Sequence, residues 1–315
     1  MPKVKGRTSL VVIVGPTAVG KTELSIQLAE RLNGEIVSAD SRLFYRDMDI
    51  GTAKPTPEER ARVPHHLVDV ADPRETWSLA LFQKAAAEAI AAIHARGRTP
   101  FLVGGSGQYI HAVTRGWTPP AAAPDASLRA ELQAQAEAKG PYWLYEELQK
   151  LDPAAAEKID PRNLRRTIRA LEVIRLTGRK FSEQRGQAEG PYRTLTIGLT
   201  RPRAELYARL DARIEAMFAA GLLEEVRRLL EAGVSPTLPA MTSIGYGECV
   251  AALAGRLTVE EAKAGMRRRT RLFVRRQANW FKADDPSIHW FEAGGHPLSG
   301  IEELIRNFLE KEKTP

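Results

Sequence analysis

Apolar residues recur along this chain in two rhythms. From Leu10 to Val14 every position is leucine or β-branched, the run expected of a strand covered on both faces in a parallel sheet. Beyond the turn Gly15–Gly20 the spacing lengthens, and Leu24, Leu28 and Leu32 predict one buried helical face over Thr22–Leu32. The segment EIVSAD, Glu35–Asp40, predicts a second strand, and strand, helix and strand within about 30 residues form a βαβ unit. An alanine-rich helix is predicted over Leu79–Ala95. PFLVGGSGQYI, Pro100–Ile110, then reads as a third strand that breaks at Gly104–Gly105 before another helix.

After Trp117 the pattern changes. WTPPAAAPD carries three prolines, which interrupt regular structure and mark a linker. Helices are predicted over Ser127–Ala138, Trp143–Leu151 and Arg162–Thr177, and a second glycine-rich break, RGQAEGPY, precedes the apolar strand TLTIGLT. Arg203–Ala220 follows as an amphipathic helix with Leu206, Leu210, Ile214 and Phe218 on one face and Arg209 and Arg213 one turn apart on the other. The expected fold is α/β: a parallel-sheet core of residues 1–116 and 191–315, interrupted by an inserted helical domain, 117–190, and ending in a helical C-terminal region.

Composition narrows the class. The 315 residues, 43% hydrophobic and 27% charged, describe an ordinary globular chain with room for a core and a second lobe. No apolar run approaches the roughly 20 residues that span a bilayer, and the opening residues lack a cleavage-site pattern, so a cytoplasmic protein with no membrane partner is expected. The single cysteine, Cys249, excludes an internal disulfide and a cysteine-rich metal cluster and reads as a small buried residue. His65 and His66 are adjacent and so poorly placed to share one ion; structural or substrate-loop roles are expected for them. With no heptad seam, a monomer is expected.

The formal charge of +7 suits a polyanionic partner without proving one. Its placement says more. Arginines 162, 165, 166, 169 and 175 recur at helical spacing beside the apolar stripe Leu164, Ile168, Leu171 and Ile174. In MRRRTRLFVRRQANWFK, Arg268, Arg271 and Arg275 share a face, while Phe273, Trp280 and Phe281 read as core. Two acid-poor helical faces predict contact with RNA, to which Arg275 and Arg276 would contribute.

Chemistry concentrates in GPTAVGKT, which matches the P-loop pattern G-x-x-x-x-G-K-[ST] in full: Gly15, Pro16, Thr17, Ala18, Val19, Gly20, Lys21 and Thr22. Backbone amides at the start of the helix would hold the phosphates of a nucleotide or diphosphate, Lys21 would add charge, and the Thr22 hydroxyl would ligate Mg²⁺. A merely tight strand-to-helix turn is the plain alternative. A hydrolase needs a further strand ending in a carboxylate to hold the metal, yet PFLVGG ends in glycine. The carboxylate stands instead at Asp40, where the carboxyl ends of strands open on a shared crevice. There it could act as a base, support a metal or cap a helix.

SADSRLFYRDMDIGTAKP, Ser38–Pro55, resembles the signature of the tRNA dimethylallyltransferases, or tRNA isopentenyltransferases, in which D-S-x-Q-x-Y and M-D-I-G-T-A-K-P follow the P-loop. VPHHLVDV, LVGGSGQYI, RRTIRALEV and RRRTRLFVRRQANWFK resemble further blocks in the same order, from about Leu10 to Trp290. The resemblance implies transfer of a dimethylallyl group from dimethylallyl diphosphate to the exocyclic amine of the adenosine beside the anticodon. Asp40 would be the base, and Lys21, Thr22 with Mg²⁺ and Arg213 would stabilise the departing diphosphate.

It also implies contacts with the tRNA anticodon arm at Asp40, Ser41, Arg42 and Leu43, at Ser106 and Arg129, and at Arg165, Arg166, Thr167, Ile168 and Arg169. Thr242, Ser243, Ile244, Gly245, Tyr246 and Gly247 complete the implied set. Two positions depart from the pattern. Leu43 replaces a glutamine, removing an amide that could read a base, and Gly247 replaces a basic residue in I-G-Y-[KR]-E, removing a phosphate contact. Three other readings compete: an isopentenyltransferase acting on free adenine nucleotides, a small-molecule kinase with ATP in the loop, and a non-catalytic RNA-binding regulator.

Overall fold

Strand β1 (Ser9–Val14), helix α1 (Lys21–Arg31) and strand β2 (Gly34–Ser38) follow the predicted order, and α2 (Pro57–Arg62), β3 (His65–His66), α3 (Leu79–Ala95), β4 (Thr99–Gly104) and α4 (Gly107–Thr114) come next. The computed structural model describes residues 7–118, 120, 122–184, 186–187, 190–295 and 297–310. Residues 119 and 121 of the expected linker, and 185, 188 and 189 of the second glycine-rich break, lie outside the described residues. The chain divides into two units, Met1–Thr114 with Pro191–Pro315, and Arg115–Gly190.

Within the second unit lie β5 (Trp117–Thr118), α5 (Ala126–Lys139), α6 (Pro141–Leu151), α7 (Pro153–Ala156), α8 (Leu164–Thr177) and β6 (Gly186–Gln187). The first unit resumes with β7 (Arg193–Thr200), α9 (Arg203–Ala219), α10 (Leu222–Glu231), α11 (Tyr246–Leu253), α12 (Val259–Ala278), β8 (Ile288–Glu292) and α13 (Leu298–Glu310). Among the described residues the first unit holds a six-stranded sheet, order β3-β2-β4-β1-β7-β8, parallel throughout.

β1 lies inside this sheet with every residue buried. Alternation along the strand sends Leu10, Val12 and Val14 into one apolar layer with Phe82, Ala86, Ile90 and Ile93 of α3. It sends Val11 and Ile13 into the other, with Leu24 and Leu28 of α1 and Ile301 and Ile305 of α13. Such two-sided burial is why the strand has no polar alternation to read. Helix α9 buries Leu206, Leu210 and Ile214 as predicted and adds Met217, while Phe218 is half-buried and packs against the core that holds Ile214 and Met217.

β3 and β8 were not legible. His65–His66 is too short to carry a pattern, and its imidazoles serve structure: His66 Nε2 lies 2.6 Å from Glu35 Oε2, a buried carboxylate also held by Arg96 at 2.7 Å. Among the described residues no helix is long and apolar enough to cross a membrane.

The second unit has its own core, built from Leu132, Leu144, Leu148, Ile168, Leu171 and Phe181. At its centre the fully buried carboxylate of Glu172 accepts hydrogen bonds from the Asp125 amide at 2.8 Å, Arg129 Nε at 2.8 Å and Arg169 Nη1 at 2.5 Å. This corrects the picture of α8 as an acid-poor cationic face, because Glu172 engages two expected RNA contacts, Arg169 of α8 itself and Arg129 of α5. Thr167 and Ile168 are buried as well; they belong to the packing face of α8, so their side chains are not available to RNA. Arg165 is exposed and Arg166 half-buried, and neither has an ion partner among the described residues.

Glu172→Gln should cost about 2 kcal/mol in urea denaturation, since it removes the charge that two arginines share. Burial works against the Glu172 charge, but the hydrogen bonds from Arg129 and Arg169 prevail and hold the carboxyl below its ordinary range. That stabilisation is complete above the ordinary value and is lost as pH falls through the depressed one, so the variant should lose stability less steeply in acid than the parent.

Candidate active site

Where β1 ends, the chain must turn sharply beside β7. A Cβ at Gly15 would stand 2.7 Å from the Leu199 carbonyl oxygen, and the residue's φ of +150° disfavours any side chain. Glycine is required there by space and conformation together. Ala18 at the crest of the loop has φ 67° and Gly20 caps α1 with φ 114°, so the loop closes directly onto the helix. The first amides of α1 have no acceptor within the helix and face an anion by default.

Three side chains from distant sequence fix the loop. Gln277 of α12, 5% exposed, accepts the Thr17 amide proton at 3.0 Å and donates Nε2 to the Gly105 carbonyl at 3.1 Å. A Cβ at Gly105 would lie 2.1 Å from that Nε2, so the second glycine of the β4 turn is bare to admit the amide. Arg209 Nε donates to the Ala18 carbonyl at 3.0 Å, and Arg201 reaches the Val19 carbonyl at 3.4 Å while pairing with Glu205. Carbonyls are thereby engaged by arginines, which favours amides over carbonyls on the phosphate side.

Lys21 Nζ donates to the Gly15 and Pro16 carbonyls, each at 2.9 Å. Burial, with Arg213 in support, pushes its pKa down to about 8, while the charge of Asp40 opposes the fall. Asp40 and Arg213 thus both act on the loop lysine. Burial, then the charge of Arg209, lowers the pKa of Arg213 too. The Asp40 side chain is half-buried, and Oδ1 accepts the Arg42 amide proton at 3.0 Å. Among the described residues no hydrogen bond engages its other oxygen.

The segment MDIGTAKP, part of the resemblance to the family signature, is held as scaffold. Glu225 of α10, 3% exposed, accepts the amides of Asp49, Ile50 and Gly51 at 2.9, 2.8 and 3.2 Å and the Tyr246 hydroxyl at 2.5 Å. Lys54 Nζ, also buried, donates to the Tyr45 carbonyl at 2.9 Å and to Asp49 and Asp69 at 2.5 Å each. Glu225 and Gln277 escaped the reading of the sequence. One signal was present for the first: Glu225 lies in phase with the apolar Leu222, Val226 and Leu229, an acid on a packing face. Gln277 lies within a basic run and carries no charge to draw notice.

Several expected RNA contacts are buried. Ser243 donates Oγ to the Ala240 carbonyl, and Tyr246 is fully covered with its hydroxyl on Glu225; Gly245 is buried between them. Those residues shape the turn, whereas Thr242 is exposed and Ile244 and Gly247 are half-buried. Ser41, Leu43 and Ser106 are half-buried, and Arg42 donates to the Pro239 carbonyl at 3.0 Å. On α12, Arg271 pairs with Asp211 at 2.6 Å, so the expected face of Arg268, Arg271 and Arg275 is not uniformly free. Arg275 and Arg276 are exposed and without ion partners among the described residues.

Phe281 is core, but Phe273 and Trp280 are 36% and 38% exposed, contrary to expectation. Trp280 rests its ring where a Cβ of Gly107 would stand. Cys249 is buried, and burial with Glu248 nearby pushes its thiol up to about 12, so it takes no part as a nucleophile.

Two measurements test this geometry. Gln277→Leu should weaken binding of inorganic pyrophosphate about tenfold by calorimetry, because the Thr17 amide loses its buried acceptor. Because a bound polyanion raises the Lys21 pKa from about 8, pyrophosphate binding at pH 8 should bring proton uptake by Lys21, and affinity should fall as pH rises through that value. Calorimetry in buffers of differing ionisation enthalpy checks the uptake, which Lys21→Arg should abolish.

Comparison with known proteins converges on one family. A family model described as IPP transferase matches residues 43–284, and one described as isopentenyl transferase matches residues 8–67. A tRNA dimethylallyltransferase of Roseiflexus sp. (strain RS-1) is 58% identical over 273 residues, 87% of this chain and 90% of that protein. The one from Thermomicrobium roseum is 50% identical over 305 residues, 97% and 92% of the two chains. The crystal structure of the full-length tRNA isopentenylpyrophosphate transferase from Bacillus halodurans has TM-score 0.73 at 42% identity, covering 98% of each chain. A eukaryotic dimethylallyltransferase acting on tRNA has TM-score 0.80 at 28% identity, covering 96% of this chain and 80% of that one. A P-loop on a parallel sheet, with collinear relatives along nearly its whole length, places this chain in the tRNA dimethylallyltransferase family.

Proposed function

We propose that this chain transfers the dimethylallyl group of dimethylallyl diphosphate to N6 of the adenosine immediately 3′ of the anticodon in tRNA, releasing diphosphate. The observation that carries this reading is the glycine loop at the end of β1, braced by Gln277 and Arg209, with Lys21 on its carbonyls and Asp40 just past the end of β2, whose charge, like that of Arg213, is felt at Lys21. An adenine amine is weakly nucleophilic because its lone pair is delocalised into the ring, so a carboxylate that accepts its proton assists attack. As the amine bonds to the allylic carbon, the C–O bond breaks and its electron pair leaves with diphosphate. The loop amides, Lys21 and Arg213 stabilise that charge.

Asp40 suits the base because one of its oxygens is held by the Arg42 amide and the other has no hydrogen bond among the described residues. The target base must leave its stack to reach it. Thr22, exposed at the start of α1 and with no hydrogen bond to its hydroxyl among the described residues, fits a Mg²⁺ ligand. Among those residues no group of three or more His, Cys, Asp or Glu side chains could hold a metal. The ion would therefore draw its other ligands from diphosphate oxygens and water. When bound it would offset charge on the leaving group.

For RNA, the reading draws on Arg165, Arg166, Arg275 and Arg276, all without ion partners among the described residues. It places the chain, as a monomer, in the cytoplasm with its tRNA.

Asp40→Asn should bind tRNA like the parent and lose about 10³-fold in single-turnover rate. Labelled dimethylallyl diphosphate, unmodified tRNA and Mg²⁺, with AMP as a competing acceptor, provide the assay. Prenyl label on AMP alone, or turnover of ATP without label on tRNA, would overturn the reading.

A further inference from the structure

Gly247 stands where the family pattern places a lysine or arginine, yet nothing about its backbone calls for glycine. Its φ is not in the left-handed region, and a Cβ there would meet only ordinary contacts. The nearest of these, at 3.4 Å, is Nη1 of Arg269. A guanidinium from α12 therefore lies over the bare first turn of α11, at the point from which a side chain at 247 would grow.

We propose that Arg269 supplies the cationic contact to an RNA phosphate that a basic residue at position 247 would otherwise make. The inference rests on the tRNA reading above and adds a residue to it. Nη1 donates to Glu248 Oε1 at 2.8 Å and Nη2 to the Thr242 carbonyl at 3.1 Å. Glu248 is buried, and its other oxygen accepts the Gly245 amide proton at 2.9 Å. The anchors are thus on the protein side, while the Arg269 side chain is 43% exposed.

Two N–H groups are used of the five that a guanidinium carries, so donors remain for a phosphate oxygen. A planar cation already held in place loses little freedom on binding. Its neighbours on the helix differ: Arg267 is tied to Glu215 and Arg271 to Asp211, each carboxylate being itself partly exposed. Thr242, which Arg269 grips through its carbonyl, is exposed in the same turn.

A purely structural role for Arg269, bracing the turn through Glu248, makes different predictions, and the position of Gly247 permits the distinction. Binding of fluorescently labelled unmodified tRNA would be titrated over a series of KCl concentrations for the parent, R269Q, R269K and the double variant R269Q/G247R, with thermal melting to confirm folding. R269Q should bind about 3- to 10-fold more weakly at low salt and lower the slope of log affinity against log salt by about one. R269K should keep most of the slope, and G247R should restore both affinity and slope to R269Q.

An unchanged slope in R269Q overturns the proposal, as does failure of G247R to restore it. Should R269Q melt early, the double variant decides: restored stability without restored slope would mark a brace and end the claim. A parent protein that prenylates tRNA while R269Q keeps the parent slope defeats this inference alone, whereas a parent that places no prenyl label on tRNA defeats the reading on which it rests.

Discussion

Positive charge held out of water at the end of β1 is the constraint to which the rest of the structure answers. Lys21 is half-buried and Arg213 lies close enough to depress it. Two cations brought together in partial burial repel each other and lose hydration, a cost that a bound diphosphate would offset. Asp40 offsets part of it in the meantime and keeps the lysine within reach of protonation. The same opposition of charges is what the proposed reaction asks of the loop, a carboxylate for the amine proton and cations for the leaving diphosphate.

Rigidity around that charge comes from neutral or internally balanced groups. Gln277 grips both the P-loop and the β4 turn without adding charge, whereas a lysine in its place would deepen the repulsion. Arg201 and Arg209 do bring charge, but their hydrogen bonds go to loop carbonyls, and Glu205 balances one of them. Glu225 plays the corresponding part for the segment following Asp40. A single carboxylate collects three consecutive amides and a tyrosine hydroxyl. A buried carboxylate is tolerable only when so fully satisfied.

The arginines show why a charge count is a poor map of a binding surface. Sequence runs around 162–175 and 266–282 contain few acids, yet the one acid of the first, Glu172, ties Arg129 and Arg169, and the second meets acids from elsewhere, Asp211 and Glu215 from α9 and Glu248 from α11. What separates a recognition cation from a structural one is whether its donors are already spent. By that measure Arg169 is structural, Arg165, Arg275 and Arg276 are available, and Arg129 and Arg269 are each anchored to a buried carboxylate and still exposed.

Strong local signals made much of this molecule legible in advance. A continuous apolar strand, a glycine turn and a four-residue helical rhythm are set by neighbours in the chain, so β1, the P-loop, α1 and α3 could be read directly, as could Asp40 at a strand end. The two-residue strand β3, the scaffold role of Asp49–Lys54, the burial of Tyr246 and the clamp by Gln277 could not. Each depends on partners many residues away, and hydrogen-bond satisfaction in a buried setting leaves no periodic trace. The sequence by itself determined the strongly patterned elements and the chemistry they could carry; the tertiary structure decided the short strand β3, which polar groups are consumed in holding the site and which remain to act, because only packing sets the distance between a donor and its acceptor.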